Sequence, residues 1–84
     1  MTERSPITIR MRLLREALGL GRAEFARRIG ISKKTLEGIE QSGRYPKSDV
    51  IASVCQEWPD YTVWLILGKG GTDIPQRWLE EIEL

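Results

Sequence analysis

Apolar residues recur along this chain at three- and four-residue intervals, and no strand-like alternation of useful length appears. Ile7, Met11, Leu14 and Leu18 form the first stripe, introduced by Ser5-Pro6, with Thr8 as an alternative cap, and stopped at Gly19. Phe25, Ala26 and Ile29 mark a second helix from about Arg22 to Ile29, ended by Gly30, with Ile31 filling the turn. Ser32 is a strong N-cap for a third helix reaching about Glu40, with Leu36 and Ile39 as its buried pair. Gln41 to Pro46 reads as a loop broken by Gly43 and Pro46. A fourth helix, capped by Ser48, places Val50, Ile51, Val54, Cys55 and Trp58 on one stripe, and Pro59-Asp60 restarts the chain into a short fifth helix ending near Gly68. The expected fold is all-α, a compact five-helix domain over residues 1–70. Beyond the Gly70-Gly71 joint follows a short tail, residues 71–84.

Length limits what such a domain can do. A chain of 84 residues buries roughly 60–65% of its unfolded surface, so close helix packing or a partner subunit has to add stability. The single Cys55 forms no intramolecular disulfide, which fits a reducing cytoplasm. Arginines at 4, 10, 12 and 15 interrupt the first twenty residues, so no secretory leader is expected. Val63 to Leu67, the longest apolar run, is too short to span a bilayer.

The net charge of +1 hides a division. Residues 1–47 carry eleven Lys or Arg against five acids, a net +6, whereas residues 48–84 carry two against seven, a net −5. That segregation points to one surface facing a polyanion and an acidic surface turned away from it. Enzyme chemistry finds no footing. The chain has no His and no second Cys, no phosphate-binding glycine loop and no acid pair assigned to a cleft. No cofactor, metal, small-molecule substrate or membrane partner is expected.

The segment Gly21 to Gly43, GRAEFARRIGISKKTLEGIEQSG, meets the physical needs of a helix-turn-helix, with the motif at about residues 22–40. Two closely crossing helices require a small residue at the contact, which Ala26 supplies. The turn needs a residue free to take positive φ, which Gly30 supplies. Leu36 and Ile39 anchor the second helix from behind and leave Lys33, Lys34, Glu37 and Gly38 outward.

The stretch LREALGLGRAEFARRIGISKKTLEGIEQSGRYP, Leu14 to Pro46, resembles the Xre-type helix-turn-helix family, which includes the lambdoid phage repressors and Cro proteins. The likeness extends into DYTVWLILGKG, similar to the fifth helix of phage regulators, and covers about residues 9–70. It implies a five-helix fold, dimeric binding to a near-palindromic operator in double-stranded DNA, and transcriptional control, most simply by a phage- or prophage-type repressor. By the same analogy Arg15 and Glu40 form a semi-buried ion pair joining helices one and three. Two positions depart from the pattern. Gly21 and Arg22 stand where the family has Ser or Thr followed by Gln, and Gly38 occupies the recognition helix where a long polar side chain is common. Gly38 costs roughly 1 kcal/mol relative to Ala. It either lets the backbone approach DNA closely or reflects crowding inside the fold.

In this motif the first residues of the recognition helix meet base edges. Lys33 and Lys34 are therefore the expected base readers, suited to guanine O6 and N7. Glu37 can accept from a cytosine amino group, although a pair with a lysine is the favoured expectation. Arg22, Arg44, Tyr45 and Lys47 are the expected phosphate contacts, which set register without reading sequence. Ser32, Thr35 and Gln41 add neutral hydrogen bonds to the backbone.

The acidic half holds more large apolar surface than the small core obviously absorbs. Trp64 and Leu67, with Trp78, Leu79 and Ile82 of the tail, are the expected homodimer or partner-protein contacts. The tail can equally fold back on its own domain. A second functional reading, an antitoxin-like module that neutralises a protein partner and regulates its own gene by binding DNA, uses the same apolar tail.

Overall fold

The computed structural model describes residues 5–68, and over that span the chain is helical with no strand. In order come α1 (Pro6–Ala17), α2 (Arg22–Ile29), α3 (Lys33–Ser42), α4 (Ser48–Glu57), a 3₁₀ turn (Pro59–Tyr61) and α5 (Thr62–Leu67). The all-α, five-helix architecture agrees with the sequence pattern. The expected boundary at residue 70 and the tail residues Trp78, Leu79 and Ile82 lie outside the described residues.

Local chemistry sets most helix ends. Ser5 Oγ accepts the Thr8 amide at 3.3 Å, and Pro6 occupies the first turn, where a missing N–H does no harm. Thr8 is therefore not the cap. It lies inside α1, buried, and its hydroxyl donates instead to the Arg44 carbonyl. Gly30 ends α2 at φ +78°, and the Ile31 amide then closes back on the Ala26 carbonyl at 3.0 Å. Ser32 Oγ caps α3 through the Thr35 amide at 3.0 Å.

Two boundaries differ from the sequence reading. α3 continues through Gln41 and Ser42, because neither residue breaks a helix and the stop comes only at Gly43. At α4 the cap position belongs to Lys47 and Ser48 is already helical, so Ser48 caps nothing. The Lys47 carbonyl takes the Val50 and Ile51 amides at 3.0 and 3.1 Å, which starts the helix one residue early.

Among the described residues ten side chains form the core: Met11, Leu14, Phe25, Ala26, Ile29, Leu36, Val50, Val54, Trp64 and Leu65. Phe25 joins α2 to the end of α4 by stacking on Trp58, with ring centroids 4.9 Å apart. Leu36 is fully buried while Ile39 is half-buried, so the expected α3 pair divides its work unevenly. Trp64 needs the larger correction. It is 4% exposed and belongs to the core, which removes it from the surfaces available to a partner. A helix as short as α5 must turn some apolar residues inward, and Trp64 and Leu65 are those residues; Val63, Ile66 and Leu67 remain exposed.

α5 is held to α1 by a side chain of unexpected importance. Arg10 Nε donates to the Leu65 carbonyl at 2.7 Å and Nη2 to the Ile66 carbonyl at 3.1 Å, satisfying carbonyls that a helix end leaves free. Gly68, at φ +73°, makes room for this clamp: a Cβ there would lie 3.0 Å from Arg10 Nη1.

Replacing Phe25 with Ala should lower stability by about 3–5 kcal/mol. By contrast Val63→Ala, on the exposed face of α5, should stay within about 0.5 kcal/mol. Urea denaturation of both variants checks this, and a Phe25→Ala loss below about 1 kcal/mol would place the principal core elsewhere.

Candidate nucleic-acid interface

α3 presents its polar face outward. Lys33, Lys34, Thr35, Gly38 and Gln41 are exposed, Glu37 is half-buried, and Leu36 and Glu40 are buried behind them. The helix opens with a tight hydroxyl pair. Ser32 Oγ accepts the Thr35 amide and donates its own proton to Thr35 Oγ1 at 2.8 Å. Ser32 is thus engaged at the cap, and the Thr35 hydroxyl keeps its proton for an outside acceptor.

The loop after α3 lies beside this face. Gly43 and Pro46 are buried and hold the loop down, while Arg44, Tyr45 and Lys47 are exposed. Its backbone is tied to the start of α1: the Ser5 amide donates to the Gly43 carbonyl at 2.6 Å, and Thr8 donates to the Arg44 carbonyl. A polar residue on the apolar stripe of α1, three positions before Met11, was the available sign that Thr8 has a partner in the interior. Between α3 and the loop runs an open groove of about 430 Å³, and Thr35, Gly38, Arg44, Tyr45, Pro46 and Lys47 are among its lining residues. Gly38 stands at this groove with nothing within 4 Å of the place a Cβ would occupy. Crowding inside the fold does not account for it.

Behind α3 the charged residues converge. Arg15 Nε donates to Glu40 Oε2 at 2.9 Å and Nη2 to Oε1 at 3.2 Å, while Nη1 reaches the Leu20 carbonyl at 3.2 Å. Arg22 joins them, its Nε donating to Glu40 Oε1 at 2.9 Å. Burial by itself pushes the Glu40 carboxyl up, but the hydrogen bonds and charges of both arginines outweigh it and hold the group below its ordinary range. The Glu40 hydrogen bond in turn raises Arg22.

The remaining charges sort into two sets. Arg27 and Arg28 both bind Glu24 on the outer side of α2, which lowers the Glu24 carboxyl, and Arg12 pairs with Glu16. Among the described residues, Lys33, Lys34, Arg44 and Lys47 form no ion pair. The lysine pair expected for Glu37 is accordingly absent. Lys33 precedes Glu37 by four positions, the weaker orientation for such a pair. Within that span no three His, Cys, Asp or Glu residues group as metal ligands, and no helix is long and apolar enough to cross a membrane.

A family model described as a helix-turn-helix domain matches residues 7–56, the span from α1 through α4 that carries this face. No curated protein and no solved structure matches the chain.

Two measurements follow from this geometry. Glu40 has a folded pKa below its unfolded value of about 4.3, so its contribution is present above that pH and disappears as pH falls through the lower folded value. Glu40→Gln should therefore cost about 1.5–3 kcal/mol near neutrality. The gap from wild type should close in acid, as followed by thermal melts from pH 7 to pH 2.5; a gap that stays constant would mean the carboxyl is not held ionised. Gly38→Ala should raise stability by about 1 kcal/mol, since it adds helix propensity into open space. If the groove is a contact surface, the same variant should weaken DNA binding, so equal gains in melting temperature and affinity would argue against it.

Proposed function

The chain belongs to the helix-turn-helix domain family, and on that premise we propose that it is a sequence-specific transcriptional repressor that binds a near-palindromic operator as a dimer. DNA binding is the property of the family; the operator symmetry, the dimer and the regulatory sign are this reading's additions. The observation that carries it is the uncompensated charge on one side of the domain. The arginines of α1 and α2 other than Arg10 pair with neighbouring acids, whereas Lys33, Lys34, Arg44 and Lys47 form no ion pair among the described residues. Unpaired lysines and arginines attract counterions whose release drives binding to a phosphate backbone.

In this reading α3 enters the major groove with Lys33 and Lys34 toward base edges, lysine favouring guanine acceptors. Arg44, Tyr45 and Lys47 meet phosphates on one flank and Arg22 on another, with Thr35 and Gln41 adding neutral contacts. Glu37 has no lysine to satisfy it among the described residues, which leaves its carboxylate for a cytosine amino group. Gly38 brings the backbone of α3 close to the DNA, so part of the specificity comes from groove shape. Dimerisation is supported by α5, where Val63, Ile66 and Leu67 are exposed at helical spacing on one short element.

Selection of bound duplexes from a random pool is expected to return G-containing half-sites with centres about 10 bp apart. Three cationic phosphate contacts from each protomer, Arg22, Arg44 and Lys47, give a slope of log K on log salt of about −5 for the dimer. A slope of about −2.7 would indicate a single bound protomer, and recovery of no motif would sink direct base readout.

A further inference from the structure

Arg22 belongs both to the interior and to the surface. Its Nε is bonded to Glu40, yet its side chain is 43% exposed, against 10% for Arg15 and 4% for Glu40. A guanidinium is a rigid planar fork, so holding Nε on an anchored acceptor turns that edge inward and restricts both Nη groups to the outward side. The acceptor is firmly anchored: Arg15 grips both Glu40 oxygens and is itself held by the Leu20 carbonyl. Among the described residues the Arg22 side chain makes no other hydrogen bond, which leaves its Nη donors uncommitted.

We propose that Glu40 is a positioning residue for nucleic-acid binding, orienting the Arg22 guanidinium from inside the domain so that its Nη donors meet a DNA phosphate. The inference rests on the DNA-binding reading above and gives one buried carboxylate a role at the interface. Glu16 also lies 4.0 Å from Arg15, so the interface role rests on the direction of the Arg22 Nη donors rather than on surplus charge in the cluster. Orientation also has an entropic benefit. An arginine free on a surface loses rotamer freedom when it grips a phosphate, whereas Arg22 has surrendered part of that freedom on folding. A lysine at position 22 would supply the same charge as a single ammonium, with no second edge to present while the first is held.

Glu40 separates positioning from simple electrostatics by the sign of its effect. Removing an acidic charge near a phosphate should tighten DNA binding if charge alone matters, and should weaken it if the carboxylate aims Arg22. The experiment measures affinity by fluorescence anisotropy across a salt series for wild type, R22A, E40Q and the double variant, using the selected duplex and holding temperature well below the melting point of E40Q. R22A is expected to weaken binding about tenfold or more and to make the salt slope shallower by about 0.9. E40Q is expected to weaken binding about three- to tenfold, with that loss vanishing in the R22A background. Tighter binding by E40Q, or an equal loss with and without Arg22, would overturn the proposal.

Nitrogen NMR of the wild-type arginine side chains supplies a readout that needs no variant. The Arg22 Nε–H signal should remain protected when duplex is added while the Nη signals shift; loss of that protection in the complex contradicts the assignment. If K33A and K34A weaken binding but R22A does not, this inference falls and the DNA-binding reading stands. If the wild-type protein binds no duplex, both fall.

Discussion

A buried carboxylate organises this domain. Glu40 takes a negative charge into the interior of a small domain, where an unpaired ion would be strongly destabilising. Its two oxygens accept from Arg15 on α1, which bonds both, and from Arg22 on α2. Satisfying that one group therefore specifies how three helices stand relative to one another. Apolar packing tolerates small slides between helices; a bidentate guanidinium–carboxylate pair is more demanding in direction. The placement of α3 thus rests on hydrogen-bond geometry as well as on contact between Ala26, Leu36 and their neighbours.

The same economy appears at the other edge of α3. The loop carrying Arg44, Tyr45 and Lys47 has few apolar anchors, and two bonds from the beginning of α1 tie its backbone to the domain. α1 thereby holds α3 through Glu40, the following loop through Ser5 and Thr8, and α5 through Arg10. A helix that contributes no residue to the proposed DNA face carries the supports for most of it. Charge is distributed to match. Acids pair with the arginines of α1 and α2 apart from Arg10, and the cations on and after α3 form no ion pair among the described residues.

Much of this was legible in the chain. Ser5 and Ser32 cap helices because a side-chain oxygen at those positions meets first-turn amides, and Gly30 ends α2 because a left-handed residue was required there. Ser48 misled, since the carbonyl of the preceding lysine could begin the helix without it. The end of α3 reads in the sequence as about Glu40, two residues short, because Gln41 belongs by that reading to the loop broken by Gly43 and Pro46; Gln is a good helix former, and the helix continues to Ser42. Trp64 read as surplus apolar surface because its spacing places it on a helix but does not say which side of that helix meets α1.

The division has a physical cause. Helix type, order and the outward face of α3 were determined by the sequence alone, because capping and the i, i+3, i+4 rhythm act between near neighbours and need no knowledge of the rest of the molecule. Tertiary structure alone decided that Arg22 shares the Glu40 carboxylate across 18 positions and that Thr8 meets the Arg44 carbonyl across 36. It also decided that Arg10 closes the end of α5 and that Gly38 faces open space. Each of these depends on where two helices cross. Crossing is set by the summed packing of the whole core, a quantity no local spacing contains.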